Sequence, residues 1–176
     1  MQSLRGLDLR PTADRLRETL FNVLTAGNPG ALEGTVWLDL FAGTGAVGIE
    51  ALSRGAGMAY FVESSPRAAA LVRQNLQKLG VETGSQVLQQ DVVCALVGLQ
   101  KQGVVADFGF LDPPYRLSEA YQHTLEALSQ SGLVKAESVV IAEHEKRFDP
   151  GEEFGSLRRY RKLEQGDAAL SFYRNR

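Results

Sequence analysis

Apolar positions recur in two rhythms along the chain. Leu16, Leu20, Phe21 and Leu24 fall on one face of a 3.6-residue repeat, so residues 12–24 read as a helix with Thr12 in the N-cap position. Asn28, Pro29 and Gly30 then break the pattern. Beyond them, short apolar runs alternate with longer amphipathic stretches. Strands are expected over 35–41, 58–63, 85–90, 107–111 and 138–143, with helices over 46–54, 66–79, 92–100 and 118–130. Such alternation requires right-handed crossovers and a mostly parallel sheet. The ending differs: residues 157–163 and 168–174 are two strand-like runs around a turn over 164–167 that contains Gly166. The expected fold is α/β, a doubly wound, mostly parallel, Rossmann-like sheet of seven strands. An antiparallel C-terminal hairpin and an N-terminal helical extension complete it.

Length and composition agree with this picture. A chain of 176 residues amounts to about one domain at roughly 150 residues each, so residues 1–176 are read as one unit with 1–30 as an extension that contributes to substrate binding. The hydrophobic fraction of 44% and charged fraction of 23% exclude a disordered chain. Apolar runs are too short for a membrane helix, and residues 1–10 show no secretory pattern. The single cysteine, Cys94, excludes an internal disulfide, and two histidines, His123 and His144, leave little for a metal cluster. The expectation is a metal-free cytoplasmic monomer. Cys94 is expected to be a small buried hydrophobe, and the histidines surface or helix-packing residues.

Charge adds a hint about partners. The net charge is −2, but residues 1–17 carry +2, residues 156–176 carry +4, and the middle carries −8. Basic ends on an acidic body suit nucleic acid beside a negatively charged pocket. The run Arg158-Arg159-Tyr160-Arg161-Lys162 fits either RNA contact or the charging of an exposed sheet edge.

The first candidate site follows the first strand. Gly43, Gly45 and Gly48 fit G-x-G-x-x-G between strand and helix, a pattern that raises a dinucleotide or a ligand-free tight turn. Asp39 separates these possibilities, because a carboxylate near the strand's end repels pyrophosphate and attracts a cation. S-adenosylmethionine has an ammonium, a sulfonium and no phosphate. Glu63 ends the second strand, near the spacing at which an acid grips ribose hydroxyls. Asp91 ends the third and suits either an adenine amino group or a helix N-cap. The second candidate site is Asp112-Pro113-Pro114-Tyr115, after the fourth strand. Two prolines stiffen the loop and leave carbonyls without ladder partners. The Asp112 carboxylate and the Pro113 carbonyl suit the two hydrogens of an exocyclic amine, and Tyr115 suits stacking on its ring.

These residues resemble the class I S-adenosylmethionine-dependent methyltransferases that act on amino nitrogens. Arg10-Pro11-Thr12, Arg17-Glu18-Thr19-Leu20-Phe21-Asn22, Gly48-Ile49-Glu50-Ala51-Leu52-Ser53-Arg54-Gly55-Ala56 and Gly166-Asp167-Ala168-Ala169-Leu170-Ser171-Phe172-Tyr173 narrow the resemblance to the RsmD family, over nearly the whole chain. That resemblance implies methyl transfer to guanine N2 in 16S ribosomal RNA, presented as RNA or as a small-subunit particle. It implies catalytic roles for Asp112, Pro113, Pro114 and Tyr115. Cofactor contacts are implied for Asp39, Phe41, Ala42, Gly43, Gly45, Glu63, Ser64, Asp91, Val92 and Asp112, and substrate contacts for Arg10, Pro11, Thr12, Arg15, Arg17 and Tyr115. Arg17 also fits a surface helix position. The family begins with a small basic strand pair, whereas only nine residues precede Arg10 here, with Arg5-Gly6 among them; weaker RNA affinity is expected. An adenine-N6 DNA methyltransferase shares both sites but usually carries a separate target-recognition region. A non-catalytic RNA-binding module would not need the acids or the tetrapeptide. A protein-amide methyltransferase would resemble Asn-Pro-Pro-Tyr, and a nicotinamide dehydrogenase leaves residues 112–115 unexplained.

Overall fold

The computed structural model describes residues 11–176, with side chains from residue 13 onward. The chain runs α1 (Pro11–Thr25), β1 (Val36–Leu40), α2 (Ala46–Ser53), β2 (Met58–Val62), α3 (Pro66–Lys78), β3 (Ser85–Leu88) and α4 (Val92–Lys101). It continues through β4 (Ala106–Leu111), α5 (Glu119–Gln130), β5 (Val134–Glu145), β6 (Glu153–Phe154), β7 (Leu157–Gln165) and β8 (Ala168–Asn175). The strands form one sheet in the order β3-β2-β1-β4-β5-β8-β7-β6. Pairings from β3 through β5 are parallel, and those among β5, β8, β7 and β6 are antiparallel. The expected seven strands are present, and the two-residue β6 adds an eighth at the edge. Two residues are too few to leave a hydrophobic rhythm.

Local chemistry explains most boundaries. Pro11 opens α1, where its missing N–H costs nothing; Thr12 is therefore the second helical residue and not the N-cap. Ser65 caps α3 by accepting from the Ala68 N–H at 3.3 Å, with Pro66 next in line. The β7–β8 turn tightens to Gly166-Asp167, with Gly166 at φ 60°, a left-handed conformation that glycine adopts without strain. β5 starts four residues before the expected Ser138. Its first turn of sequence, Lys135 to Glu137, is exposed and polar, and a register shift against β4 absorbs the irregularity.

Period-two alternation sorts side chains into two core layers. Leu38, Leu40, Val62 and Leu111 pack with Leu96, Leu99, Tyr121 and Leu125 from α4 and α5. Trp37, Phe61, Phe110 and Ile141 pack on the other face with Leu16, Leu20, Phe21, Ile49 and Val72 from α1, α2 and α3. Two side chains lie elsewhere than their sequence context suggests. Cys94 is exposed on α4, because Val92, Ala95, Leu96 and Leu99 occupy that helix's inner face. His144 is buried within β5, where its Nδ1 lies 2.8 Å from the Glu145 carbonyl and its Nε2 lies 2.9 Å from Ser171 Oγ. His123 is exposed on α5, as expected. Among the described residues, no helix is long and apolar enough to cross a membrane.

The sheet order sets where a ligand belongs. From β1 the chain winds outward through β2 and β3, then returns to β4 on the other side of β1. The carboxyl ends of β1 and β4 therefore flank the point where strand order reverses, and open α/β sheets bind ligands in that crevice.

Candidate active site

Asp39 stands on the same face as Trp37, one residue before the end of β1, and is 2% exposed. Its Oδ2 accepts from the Gly48 N–H at 2.9 Å. Burial, with additions from Asp112 and Glu63 and opposed by that hydrogen bond, pushes its carboxyl up to about 8. Glu63, just beyond β2, accepts from the Gly43 N–H at 2.9 Å and from the Ser65 N–H at 3.0 Å. One carboxylate thereby fixes the loops that follow two neighbouring strands.

The loop between β1 and α2 is held from several sides. Ala42 N–H donates to the Val62 carbonyl at 2.9 Å, and Asn75 of α3 donates to the Thr44 carbonyl at 2.9 Å. Phe41 has φ 62°, the only positive value at a non-glycine among the described residues. Such a bulky residue in the left-handed region is a genuine outlier, and outliers of this kind cluster at functional sites. Gly43 also has positive φ, and a Cβ built on it would meet nothing within 4 Å. A shelf of bare backbone thus lies open beside Asp39 and Glu63. Gly45 and Gly48 are different. They pack against Phe61 and Val72, and a Cβ on Gly48 would come within 2.4 Å of the Phe61 ring. Ser64 is exposed next to Glu63, and Val92 is buried at the start of α4.

Asp91 caps α4: its Oδ1 accepts from Val93 N–H at 2.9 Å and Cys94 N–H at 3.3 Å. The helix-cap reading is therefore correct for that oxygen, and Oδ2 has no partner among the described residues. The open shelf, the cation-favouring acids and the fixed Glu63 fit S-adenosylmethionine, and they fit a pyrophosphate poorly.

Asp112-Pro113-Pro114-Tyr115 leaves β4 at the switch point. Pro113 is buried, Pro114 is exposed and Tyr115 is 72% exposed. The Pro114 carbonyl accepts from Leu117 N–H at 2.8 Å, whereas the Pro113 carbonyl accepts no hydrogen bond among the described residues. Asp112 is exposed by area yet crowded by strand ends on its inner side. That crowding strips water from its carboxyl and pushes it up to about 7. Sequence reasoning missed Glu143. This half-buried residue of β5 has a carboxyl pushed up by burial and by Asp112.

The candidate substrate residues are only partly brought in. Arg10 lies outside the described residues, as do the side chains of Pro11 and Thr12. Arg15 is exposed on α1. Arg17 pairs with Asp14 at 3.2 Å, as a surface helix residue would. The basic run on β7 is largely neutralised. Arg159 pairs with Asp149 at 2.7 Å, Lys162 with Asp149 at 3.6 Å, and Arg158 with Glu153 at 3.5 Å, while Arg174 lies over Tyr160 at 4.6 Å. The Arg159 guanidinium holds the Asp149 carboxyl down to about 2. This run mainly finishes a sheet edge.

Comparison with known proteins gives the family. A family model described as Conserved hypothetical protein 95 matches residues 1–174. Ribosomal RNA small subunit methyltransferase D of Haemophilus influenzae is 36% identical over 144 residues, covering 81% of this chain and 72% of that protein. The chain belongs to the RsmD family of class I methyltransferases. S-adenosylmethionine is the cofactor of this RsmD-family chain. YlbH of Bacillus subtilis, named as an rRNA methyltransferase, is 31% identical over 176 residues, covering 100% of this chain and 93% of YlbH. Among solved structures, yhhF of Escherichia coli, named as a methyltransferase, superposes with a TM-score of 0.81 at 25% identity, covering 99% of this chain and 90% of that one.

Proposed function

We propose that this protein transfers a methyl group to the exocyclic N2 of a guanine in small-subunit ribosomal RNA. The observation that carries the reading is the rigid Asp112-Pro113-Pro114-Tyr115 loop at the β4 end, across the switch point from the acid-lined shelf of Asp39, Gly43 and Glu63. The names of the relatives from H. influenzae and B. subtilis support RNA as the substrate. S-adenosylmethionine supplies a methyl group on a positively charged sulfur. Asp39 attracts its cationic end, Glu63 takes the ribose hydroxyls, Asp91 through Oδ2 takes the adenine amine, and Gly43 lets backbone approach. Phe41, Ala42, Gly45, Ser64 and Val92 shape the walls.

Asp112 and the Pro113 carbonyl accept the two N–H bonds of the target amine. This aims its lone pair at the methyl group and weakens its conjugation with the ring. As the new C–N bond forms and the C–S bond breaks, Asp112 stabilises the positive charge on nitrogen, and the surplus proton leaves to Asp112 or to water. Positioning and electrostatics supply the rate. The base must be out of its stack to enter, and Tyr115 stacks against it. Arg10, Pro11, Thr12 and Arg15, in the extension over 1–30 of this single domain, steer the RNA backbone. The work takes place in the cytoplasm, where the small subunit is made.

The raised Asp39 carboxyl gives a pH prediction. Its value moves from 3.8 to about 8 on folding, so the folded protein holds a proton there at neutral pH. Its stabilising contribution is full below the unfolded value and is lost as pH rises toward about 8. A bound cation favours the carboxylate. Binding of S-adenosylhomocysteine, through its ammonium, is therefore expected to release protons at pH 7 and to tighten as pH rises to about 8. Calorimetry in two buffers of different ionisation heat measures this, and binding without proton release contradicts it.

The function itself is tested in cells. Deleting the gene should remove one N2-methylguanosine from small-subunit rRNA, and the wild-type protein should restore it. An unchanged set of modified nucleosides would refute the proposal.

A further inference from the structure

The alternation that sends Asp39, Glu63 and Asp112 to one rim brings a further carboxyl there. β4 and β5 are parallel, with Leu111 opposite Ala142 as their last pair. One step further stand Asp112, just past β4, and Glu143, still within β5, on neighbouring backbones about 5 Å apart. Phe110 and Ile141, two residues earlier, share a core layer, so Asp112 and Glu143 lean to the same face. The Glu143 backbone is held firmly: its carbonyl accepts from the Tyr121 hydroxyl at 2.8 Å, and it pairs with Leu170 of β8. Its carboxyl makes no hydrogen bond among the described residues, and the charged group acting on it is Asp112. Two crowded carboxyls without donors are costly to hold side by side. A ligand edge with two adjacent donors relieves that cost.

The two purines differ in this respect. A guanine taken out of its stack presents N1–H and the N2 amine side by side, two donors in a row. Adenine presents its N6 amine beside an N1 lone pair, a donor next to an acceptor. The Asp-Pro-Pro-Tyr loop serves either amine, so the choice falls to its neighbour. We propose that Glu143, in its ionised form, is the specificity-determining residue: it accepts N1–H of guanine while Asp112 accepts from the adjacent amine, and as a carboxylate it rejects adenine, whose N1 lone pair it would face. The inference rests on the reading of this rim as a site of methyl transfer to a base amine. The N1–H bond to a carboxylate also pushes electron density into the ring, which makes N2 a better nucleophile.

The test uses the full chain and small-subunit particles from a strain lacking it, with wild type, Glu143→Ala, Glu143→Asp and Glu143→Gln. Melting temperature and affinity for S-adenosylhomocysteine are measured alongside methyl transfer. For Glu143→Ala, kcat/KM on particles is expected to fall about 10- to 100-fold, the worth of one hydrogen bond to a charged group. Melting and S-adenosylhomocysteine affinity should stay near wild type, and Glu143→Asp should recover part of the loss. Glu143→Gln, with an N–H₂ donor beside its carbonyl, should lower the ratio of methylated guanine to methylated adenine. Glu143→Ala turning over within threefold of wild type would overturn the inference. So would a matching loss of S-adenosylhomocysteine affinity, which would assign Glu143 to the cofactor. If wild type binds S-adenosylhomocysteine but makes no N2-methylguanosine, the reading of the site falls, and the role of Glu143 with it.

Discussion

Replacing Asp112 by alanine is expected to abolish methyl transfer, by at least about 1000-fold in kcat, and to leave S-adenosylhomocysteine affinity within about threefold. The asymmetry follows from position. Asp112 stands at the β4 end, where it accepts the target amine, whereas the cofactor shelf is held by other bonds: Glu63 to the Gly43 and Ser65 N–H groups, Asp39 to Gly48, and Asn75 to Thr44. None of them passes through Asp112. Removing the carboxylate also takes a negative charge away from Asp39, and so lowers the carboxyl that Asp112 helps to raise. Cofactor binding near neutral pH should therefore hold or tighten slightly. Single-turnover transfer and calorimetry on the same preparation measure the two effects. Equal loss of both would mean that Asp112 builds the cofactor site and does not act on the amine.

Gly48→Ala is expected to damage fold and cofactor site together. A Cβ at this position would lie 2.4 Å from Phe61 Cε1, 2.9 Å from Phe61 Cζ and 3.1 Å from Asp39 Oδ2. The Phe61 ring cannot retreat, because it is fully buried and packed in the layer that holds Trp37 and Val72. Overpacking of this kind costs about 2–3 kcal/mol, a fall in melting temperature of roughly 5–10 °C for a chain of this size. The same methyl group crowds the oxygen that accepts the Gly48 N–H, so Asp39 must shift and S-adenosylhomocysteine affinity should drop at least tenfold. Gly98→Ala is the control: the residue is half-buried on α4, and its Cβ would meet nothing within 4 Å. A Gly48→Ala variant that melts and binds like wild type would show that the packing of Gly48 does not matter to the site.

Much of this site is legible in the sequence, for a physical reason. Strand alternation, glycines at strand ends and a proline-stiffened loop are local signals, and the parallel sheet converts each into a place on one rim. Asp39, Glu63 and Asp112 follow directly from that conversion. Glu143 did not, because Ile141-Ala142-Glu143-His144 looks like an ordinary strand end. Only the register of β5 on β4 sets it beside Asp112. For the basic run on β7 the sequence leaves two readings open, RNA contact and a charged sheet edge, and the ion pairs favour the second. Its partners Asp149 and Glu153 lie on the preceding turn and on β6, an element too short to read from sequence. Cys94 and His144 depend on which face of an element turns inward, and a single apolar or polar residue does not fix that.

The most direct test of the account is transfer of a tritium-labelled methyl group from S-adenosylmethionine to three acceptors: small-subunit particles, naked ribosomal RNA and DNA, all from a strain lacking this protein. The labelled nucleoside is then identified by mass spectrometry. The account predicts N2-methylguanosine in the RNA of at least one of the first two. N6-methyladenine in DNA, or no transfer to any acceptor by protein that binds S-adenosylhomocysteine, would contradict it.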